Sequence, residues 1–221
     1  MLKSSVDDFD AAAVIVGVDE AGRGPLAFPV FAAAVAWDPA VTAETHPLVA
    51  QIKDSKKLSK KKRDVLREFI ETHALAYCVA SVDEATIDRV NILNATHMAM
   101  RKALAGCFAK RRFDLILVDG DRSIPFSDPT VPEGEDTRFI ASRCVIGGDN
   151  EYLQIAAASI LAKTHHDEYI HAMLAAHPEL HKYDMAKNMA YGTAKHCQAI
   201  LEHGPTQWHR RTFLVKLLAR G

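Results

Sequence analysis

Two adjacent carboxylates follow an apolar run near the start of the chain. The segment VGVDEAGRGPLAFPV (residues 16–30) places Asp19 and Glu20 directly after strand-forming residues. Two carboxylates this close raise each other's proton affinity unless a cation neutralises them. A hard divalent cation such as Mg²⁺ prefers carboxylate oxygens and water, so the pair is a candidate metal site. The alternative is an ordinary strand end at the surface with an ion pair to Arg23.

The turn after this pair favours the metal site over the plain strand end. In a regular strand neighbouring side chains point to opposite faces, so both carboxylates can face one ligand only where the strand ends or bulges. Gly22 and Gly24 supply such a break, and they flank the cation of Arg23. Because glycine has no side chain, the backbone around Arg23 can approach a ligand closely.

Two further aspartates occupy positions that suit either chemistry or turn formation. Asp119 directly follows the apolar residues of DLILVDGD (114–121). The carboxyl ends of strands are where α/β sheets commonly place functional groups. An ordinary Asp-Gly turn is the alternative, and Asp121 ranks below Asp119. Asp149 follows two glycines and precedes a helical pattern, so its position alone favours a helix N-cap over a metal ligand.

Several other chemistries have no support in the sequence. His165 and His166 are adjacent, but no HExxH or comparable zinc spacing occurs, and no cysteine accompanies them. The sequence contains no GxSxG elbow, P-loop or GxGxxG fingerprint. We therefore expect neither a zinc site nor acyl-transfer, NTPase or dinucleotide chemistry.

Basic residues are concentrated in two short segments. The formal net charge of −1 argues against a protein that coats nucleic acid by bulk electrostatics. Nevertheless, seven of the eleven residues in 53–63 are lysine or arginine, and WHRRTF (208–213) is a second cluster. Such islands suit local contacts with phosphates. A solvated helix face is the alternative explanation for the first island.

Strand and helix patterns alternate along the chain and would position these groups. Apolar, β-branched runs predict strands over 14–18, 30–36, 76–81, 115–118 and 144–146. Helical spacing predicts helices over 61–72 (capped by Ser59), 91–108 and 151–175. We expect one α/β domain over residues 1–221. Its core would extend to about residue 176, and a C-terminal helical extension would cover about 177–221.

Composition limits the class and location of the protein. The chain is 48% hydrophobic and 25% charged, as in ordinary globular proteins. No apolar run approaches the roughly 20 residues of a membrane span, and the acidic start does not resemble a signal peptide. The four cysteines lie far apart without a CxxC pair, which favours a reducing compartment. We expect a cytoplasmic monomer that does not associate with membranes.

Eight motifs follow one another along the chain. They are GVDEAGRGPLAFPV (17–30), DSKKLSKKKR (54–63), IDRVNILNATHMAMRKAL (87–104), LVDGD (117–121), GGD (147–149), IAAASILAK (155–163), YGT (191–193) and HGPTQWHRRTF (203–213). Taken together and in this order, they resemble the ribonuclease HII family, the type 2 ribonucleases H, and the match covers roughly residues 14–213. The resemblance implies a ribonuclease H-like α/β fold, with a mixed central sheet flanked by helices and a C-terminal helical region.

The resemblance also implies a substrate and a mechanism. The expected activities are endonucleolytic cleavage of the RNA strand of RNA–DNA hybrids and cleavage 5′ of single ribonucleotides in duplex DNA. On the family's pattern the metal-holding carboxylates are Asp19, Glu20, Asp119 and Asp149, which overturns a cap-only role for Asp149 and leaves capping as an additional one. Two Mg²⁺ or Mn²⁺ ions can activate water, neutralise the phosphoryl group and stabilise the leaving oxygen. The expected products carry a 5′-phosphate and a 3′-hydroxyl.

Residues that contact the substrate follow from the same resemblance. Gly22, Arg23 and Gly24 match the motif that recognises the ribose at an RNA–DNA junction, where the 2′-hydroxyl distinguishes RNA from DNA. Tyr191 matches the tyrosine that packs against the sugar on the DNA side. We assign four further residues to phosphate contact: Ser55, Lys56, His209 and Arg210.

The chain departs from the family's pattern in two places. Many relatives carry lysine and glycine before the tyrosine, whereas Met189 and Ala190 stand here, so a phosphate contact is lost unless Lys187 replaces it. In THHD (164–167) relatives usually have a basic residue before the aspartate, and His165 or His166 would be a pH-dependent replacement.

Two alternatives to the ribonuclease HII function remain at this level. A ribonuclease HIII-like preference is disfavoured because that type usually carries an extra N-terminal domain, and only 18 residues precede Asp19. A catalytically silent module that binds RNA–DNA hybrids is disfavoured because all four carboxylates are present.

Overall fold

A mixed five-stranded sheet forms the centre of the described part of the molecule. The computed structural model describes residues 2–10, 13–38, 40–131 and 138–219. The strands are β1 (Ile15–Ala21), β2 (Val30–Ala36), β3 (Ala76–Val82), β4 (Leu115–Asp119) and β5 (Ala141–Val145), in the spatial order β3-β2-β1-β4-β5. β1 and β2 are antiparallel, as are β2 and β3, whereas β4 runs parallel to both β1 and β5. The predicted mixed sheet is confirmed.

The predicted strands are all present, with differences at their ends. β1 continues through Asp19 and Glu20 to Ala21, so the carboxylate pair lies inside the strand and not after it. β5 begins at Ala141, earlier than the predicted residue 144. Its first three residues are Ala-Ser-Arg, and β5 is an edge strand that is only partly buried. An edge position therefore removes the hydrophobic signal on which the prediction depended.

Two helices cover opposite faces of the sheet. The helix α3 (Ile92–Phe108) packs against β2 and β3, and the helix α4 (Leu153–Ala176) packs against β1 and β2. Gly17 in β1 permits the close approach of α4, because a Cβ atom at this position would lie 2.3 Å from the carbonyl carbon of Gln154. The start of α4 is thereby held directly over β1.

A side-chain cap precedes some of the helices and not others. The helix α1 (Lys60–His73) starts after Ser59, whose hydroxyl accepts the N–H of Lys62, as predicted. The helix α2 (Glu84–Val90) lies between β3 and α3. The expectation that Asp149 caps the following helix is wrong. Gly148–Asn150 form a separate 3₁₀ turn, and the residue that precedes α4 is Tyr152.

A C-terminal helical region follows α4, as predicted. It contains a 3₁₀ segment (Pro178–Tyr183), α5 (Met185–Asn188), α6 (Ala194–His203) and α7 (Arg211–Leu218). Its apolar residues share one buried cluster with Ala27 and Phe28, which follow the Gly-Arg-Gly turn. The C-terminal region therefore packs directly behind that turn. In the part of the chain that the structure describes, no helix is long and apolar enough to cross a membrane.

Candidate active site

The strand pairing brings two of the predicted carboxylates to one end of the sheet. Val18 of β1 pairs with Val118 of the parallel strand β4, so the next residues, Asp19 and Asp119, lie side by side. Asp119 in turn pairs with Val145 of β5, after which the chain enters the turn that carries Asp149. Asp19 and Asp119 therefore lie together at the carboxyl ends of β1 and β4.

Asp19 is one of two buried carboxylates among the four assigned residues, with Asp149. Its side chain lies beneath the surface, and Oδ1 accepts the backbone N–H of Glu20 at 2.7 Å. Burial raises the pKa of Asp19 well above its usual range, and the charges of Glu20 and Asp119 raise it further. A nearby cation would relieve both effects and keep Asp19 ionised.

Glu20 forms the ion pair that was the alternative to a metal site. Its Oε1 lies 3.2 Å from Nη1 of Arg23. Burial nevertheless raises the pKa of Glu20, although the charge of Arg23 opposes the shift. Asp119 also contributes to the increase. One guanidinium is therefore not enough to neutralise this group of carboxylates.

Asp119 and Asp149 are connected through a glycine turn. The N–H of Gly148 donates to Oδ1 of Asp119 at 2.8 Å, which fixes that carboxylate. Oδ1 of Asp149 accepts the side-chain amide of Asn150 at 2.7 Å. Burial raises the pKa of Asp149, and the charges of Asp54 and Asp119 add to the effect. All four carboxylates assigned through the resemblance thus belong to one electrostatic group.

Asp54 is an additional acidic neighbour that we did not predict as a site residue. It precedes a 3₁₀ turn (Ser55–Lys57) as its N-cap, and its Oδ1 accepts the N–H of Lys56 at 2.9 Å. This N-cap bond orients the turn beside Asp149. Asp is a favoured N-cap residue, so the bond between Asp54 and the N–H of Lys56 could have been predicted from the sequence.

Lys56 supplies a second positive charge at the site. Burial by itself lowers the pKa of Lys56, but the surrounding carboxylates outweigh burial and the net shift is upward. These carboxylates are Asp19, Asp54, Asp149 and Asp119. The Oγ of Ser55 lies 2.9 Å from the Oγ of Ser159, which anchors the Asp-Ser-Lys turn to α4.

A cavity of about 290 Å³ opens beside the carboxylates. Its lining includes all three residues of the Gly-Arg-Gly turn, together with Glu20, Ser55, Lys56, Lys163 and Tyr191. A Cβ atom at Gly24 would lie 2.9 Å from Cε1 of Tyr191, so the tyrosine ring lies directly against the turn. Gly22 has φ +86°, and a Cβ there would lie 2.5 Å from Cδ2 of His166. Neither position therefore has room for a side chain, because the rings of Tyr191 and His166 occupy that space.

The assignment of His209 and Arg210 to phosphate contact is wrong, because both side chains are buried. His209 is 1% exposed and Arg210 is 0% exposed. The guanidinium of Arg210 donates to the carbonyls of Gly22 (2.7 Å), Arg23 (3.0 Å) and Phe28 (2.7 Å). Arg210 therefore supports the Gly-Arg-Gly turn from inside the protein.

The two histidines considered as basic replacements have other partners. His166 is fully buried, its Nδ1 lies 3.0 Å from Asp167 Oδ1, and burial lowers its pKa. Nε2 of His165 lies 2.9 Å from Oε1 of Glu71. Lys163, one helical turn before Asp167, lines the cavity instead, and its Nζ donates to Oδ1 of Asp167 at 2.8 Å. His166 is therefore excluded as a phosphate contact.

The donor set fits a hard divalent cation, although its members are spread apart. Carboxylate oxygens predominate, and burial and mutual repulsion raise the pKa values of Asp19, Glu20 and Asp149. Among the described residues, no three His, Cys, Asp or Glu side chains form a ready-made metal cluster. The carboxylates would thus supply part of a coordination shell that water and a further ligand complete.

Carboxylates at the ends of parallel strands, beside a cavity with basic walls, define a nuclease-type site on a mixed α/β sheet. A family described as Ribonuclease HII matches residues 16–217 of this chain. Ribonuclease HII of Paraburkholderia xenovorans is 44% identical over 200 residues, which are 90% of this chain and 72% of that protein. The Paramagnetospirillum magneticum protein of the same name is 43% identical over 207 residues, 93% of this chain and 92% of that protein.

Solved structures agree on the fold. The ribonuclease H2 from Pyrococcus horikoshii OT3 superimposes with a TM-score of 0.67 at 23% identity, covering 93% of this chain and 97% of that one. The ribonuclease HII of the Archaeoglobus fulgidus PCNA complex gives 0.66 at 19% identity, covering 92% and 96%. The Mn²⁺ complex of Bst-RNase HIII gives 0.60 at 16% identity, covering 87% and 63%.

The chain belongs to the ribonuclease HII family. It is accordingly a divalent-metal-dependent ribonuclease that acts on RNA–DNA hybrids, a hydrolase of phosphodiester bonds. The family match, together with the four carboxylates, favours neither the ribonuclease HIII-like alternative nor the silent binding module.

Proposed function

We propose that this ribonuclease also cuts duplex DNA on the 5′ side of a single embedded ribonucleotide. The observation that carries the proposal is the position of the Gly-Arg-Gly turn. The turn lies between the carboxylate Glu20 and the ring of Tyr191. The turn, Glu20 and Tyr191 all line one cavity. A sugar bound against the turn would therefore lie next to the carboxylates.

The turn is suited to recognising a 2′-hydroxyl. Gly22 and Gly24 allow the rings of His166 and Tyr191 to pack directly against the turn, and Arg210 holds the carbonyls of Gly22 and Arg23 in place. A rigid backbone can donate and accept hydrogen bonds at a fixed position with little ordering cost. The ring of Tyr191, 43% exposed, provides an apolar face for the neighbouring deoxyribose.

Four carboxylates would hold the metal ions: Asp19, Glu20, Asp119 and Asp149. Two Mg²⁺ or Mn²⁺ ions would supply an activated water and stabilise the leaving 3′-oxygen, giving 5′-phosphate and 3′-hydroxyl products. Asp119 is oriented for this role by the N–H of Gly148, and Asp19 by the N–H of Glu20. Because the carboxylates are spread apart, we propose that a substrate phosphate completes the site.

Basic groups around the cavity would contact the phosphates that flank the cleavage point. Lys56 and Lys163 line the cavity, as does Ser55, whose hydroxyl is held by Ser159. Their charges oppose those of the carboxylates and would keep the nucleic acid backbone close to the metal ions. A monomeric state and a cytoplasmic location stay predictions from the sequence.

The test is a duplex DNA with one internal ribonucleotide, incubated with Mg²⁺ or Mn²⁺ beside an RNA–DNA hybrid. We expect a cut 5′ of the ribonucleotide that Asp119→Asn abolishes. Asp121→Asn is a matched control, since this exposed carboxylate is two residues away and outside the assigned set. Cleavage of the hybrid alone would disprove recognition of the junction. Binding without cleavage in either metal would support the silent module.

A further inference from the structure

Two buried histidines connect the C-terminal region to Tyr191. His196 and His209 are 0% and 1% exposed, and their Nε2 atoms lie 3.1 Å apart. Nδ1 of His196 lies 3.0 Å from the carbonyl oxygen of Tyr191. At the other end, Nδ1 of His209 accepts the backbone N–H of Thr206 at 3.0 Å. The two rings thus form a continuous chain of hydrogen bonds from Thr206 to Tyr191.

The two end groups of this series of hydrogen bonds, the N–H of Thr206 and the carbonyl of Tyr191, determine which ring nitrogens carry protons. A backbone carbonyl only accepts, so Nδ1 of His196 carries a proton, and a backbone N–H only donates, so Nδ1 of His209 carries none. A neutral His209 is then protonated at Nε2, and it donates to the bare Nε2 of His196. The arrangement is complete only when both rings are neutral. Burial lowers the pKa of His196 and lowers that of His209 to about 3, in agreement with this state.

The segment that precedes Tyr191 needs such support. Met189 and Ala190 have φ values of 49° and 60°, a left-handed conformation that residues with a side chain disfavour. The N–H of Leu26 donates to the carbonyl of Ala190 at 2.8 Å, and the N–H of Thr193 donates to that of Tyr191 at 2.8 Å. The imidazole pair adds a side-chain bond to these backbone bonds.

The same histidine is joined to the segment after the Gly-Arg-Gly turn. His209 forms a β-bridge with Ala27, and the N–H of Arg210 donates to the carbonyl of Leu26 at 2.8 Å. The imidazole pair therefore holds Tyr191 relative to the segment that carries Gly24. The ring of Tyr191 and Gly24 are in contact across the cavity wall.

We propose that His196 and His209 are positioning residues that hold the Tyr191 ring at the sugar-binding wall and thereby set the preference for a ribonucleotide–deoxyribonucleotide junction. This inference depends on the proposed function, because it assumes that Tyr191 contacts the deoxyribose. The histidines themselves do not touch the substrate. They act through the carbonyl of Tyr191.

The first test uses substitutions that keep or remove one hydrogen bond. In His196→Asn the side-chain amide takes the place of Nδ1 and can still donate to Tyr191, whereas in His196→Gln it takes the place of Nε2 and cannot. We expect His196→Gln to lower kcat/KM about tenfold on the single-ribonucleotide duplex relative to the RNA–DNA hybrid. His196→Asn keeps the bond to Tyr191 and loses the bond to His209, so its ratio should lie between those of His196→Gln and the parent. His203→Gln, on the exposed side of α6, is the matched control.

A double-mutant cycle separates positioning from a general loss of stability. In a Tyr191→Ala background, His196→Gln should cause no further change in the substrate ratio. An unchanged ratio in folded His196→Gln, while Tyr191→Ala changes it, would overturn the positioning role alone. An unchanged ratio in Tyr191→Ala would overturn the sugar contact of Tyr191 and the positioning role together.

The second test does not require activity or a substitution. ¹⁵N NMR of the imidazole rings in the parent protein should show neutral His196 protonated at Nδ1 and neutral His209 protonated at Nε2. The opposite tautomers, or a charged ring at neutral pH, would overturn the inference even if the single-ribonucleotide duplex is cut.

Discussion

The group of four carboxylates and the residues that hold Tyr191 are built by different means. The carboxylate edge (Asp19, Glu20, Asp119 and Asp149) lies where parallel strands end, so the placement of Asp19 and Asp119 follows from the register of the sheet, while Asp149 lies in the turn after β5. The tyrosine wall (Gly24, Tyr191, His196 and His209) is formed by turns that buried polar side chains hold together. A sheet edge tolerates the loss of one side chain without a change of shape. A wall made of turns changes shape when one side chain is lost, since each hydrogen bond fixes a different segment.

The largest effect should come from the carboxylate edge. Asp119→Asn removes a charge that the proposed metal ions require, while the amide can still accept the N–H of Gly148. We expect a loss of activity on the order of 10³-fold on both substrates, corresponding to several kcal/mol of transition-state stabilisation. Steady-state kinetics with Mg²⁺ and with Mn²⁺ measure it, and circular dichroism checks the fold. Activity within tenfold of the parent would contradict the role of Asp119.

The next effect concerns the support beneath the Gly-Arg-Gly turn. Arg210→Met removes the donors to the carbonyls of Gly22, Arg23 and Phe28 from a buried position. Because unsatisfied buried groups are costly, we expect the free energy of unfolding to fall by roughly 3 kcal/mol. Urea denaturation measures this value. Arg210→Lys should not restore it, since an ammonium group cannot reproduce the planar fork. A change below about 1 kcal/mol would show that the turn holds its shape unaided.

The tyrosine wall should make the stability of the protein depend on pH, whereas the carboxylate edge makes its activity depend on metal. The pKa values of His196 and His209 are lowered by burial, with Arg211 lowering that of His209 further and Asp184 opposing the shift at His196. Between about pH 6.5 and the lowered values, the unfolded chain binds protons that the folded chain does not. Stability is therefore fully present above about pH 6.5 and decreases as the pH falls, by up to about 1.4 kcal/mol per pH unit for each histidine.

Urea denaturation at a series of pH values measures this dependence. His209→Asn removes one of the two titrating groups and should make the decrease below pH 6.5 less steep than in the parent protein. Carboxylates titrate in both proteins, so the difference between the two curves isolates the histidine. Parallel curves would indicate that His209 is already protonated in the folded protein.

The smallest effect should come from the contact between Gly24 and the tyrosine ring. In Gly24→Ala the added methyl would lie 2.9 Å from Cε1 of Tyr191, and the partly exposed ring can move aside. We expect a loss of up to about tenfold in kcat/KM on the single-ribonucleotide duplex, with a smaller loss on the hybrid. In a Tyr191→Ala background the same substitution should have no effect. An equal loss in both backgrounds would assign the effect to the backbone of the turn.

The sequence predicts the carboxylate edge better than the tyrosine wall, and the reason is physical. Asp19 and Asp119 follow apolar runs within β1 and β4, and parallel pairing brings the ends of such strands together whatever the surrounding turns do. Asp149 could be assigned only through the resemblance, because its place between glycines and a helix also suits a cap. The helix in fact begins later, after Tyr152.

The sequence does not predict which charged and polar side chains are buried. His209 and Arg210 lie in a basic segment, and such segments usually face solvent. Three carbonyls make burial of Arg210 possible, and these lie more than 180 residues earlier in the chain. Hydrogen bonds over such a separation leave no local pattern. The burial of His196 was also not predicted, although its partners Tyr191 and His209 are only 5 and 13 residues away.

Gly17 illustrates how a position far from the chemistry can control it. Any side chain there would meet the backbone at the start of α4, which carries Ser159 and Lys163 to the cavity and follows the turn of Asp149. A genetic screen for inactive variants should therefore recover substitutions of Gly17, although this residue has no side chain and is not among those that line the cavity. Such variants would be misread as folding defects unless the placement of the four carboxylates were measured directly.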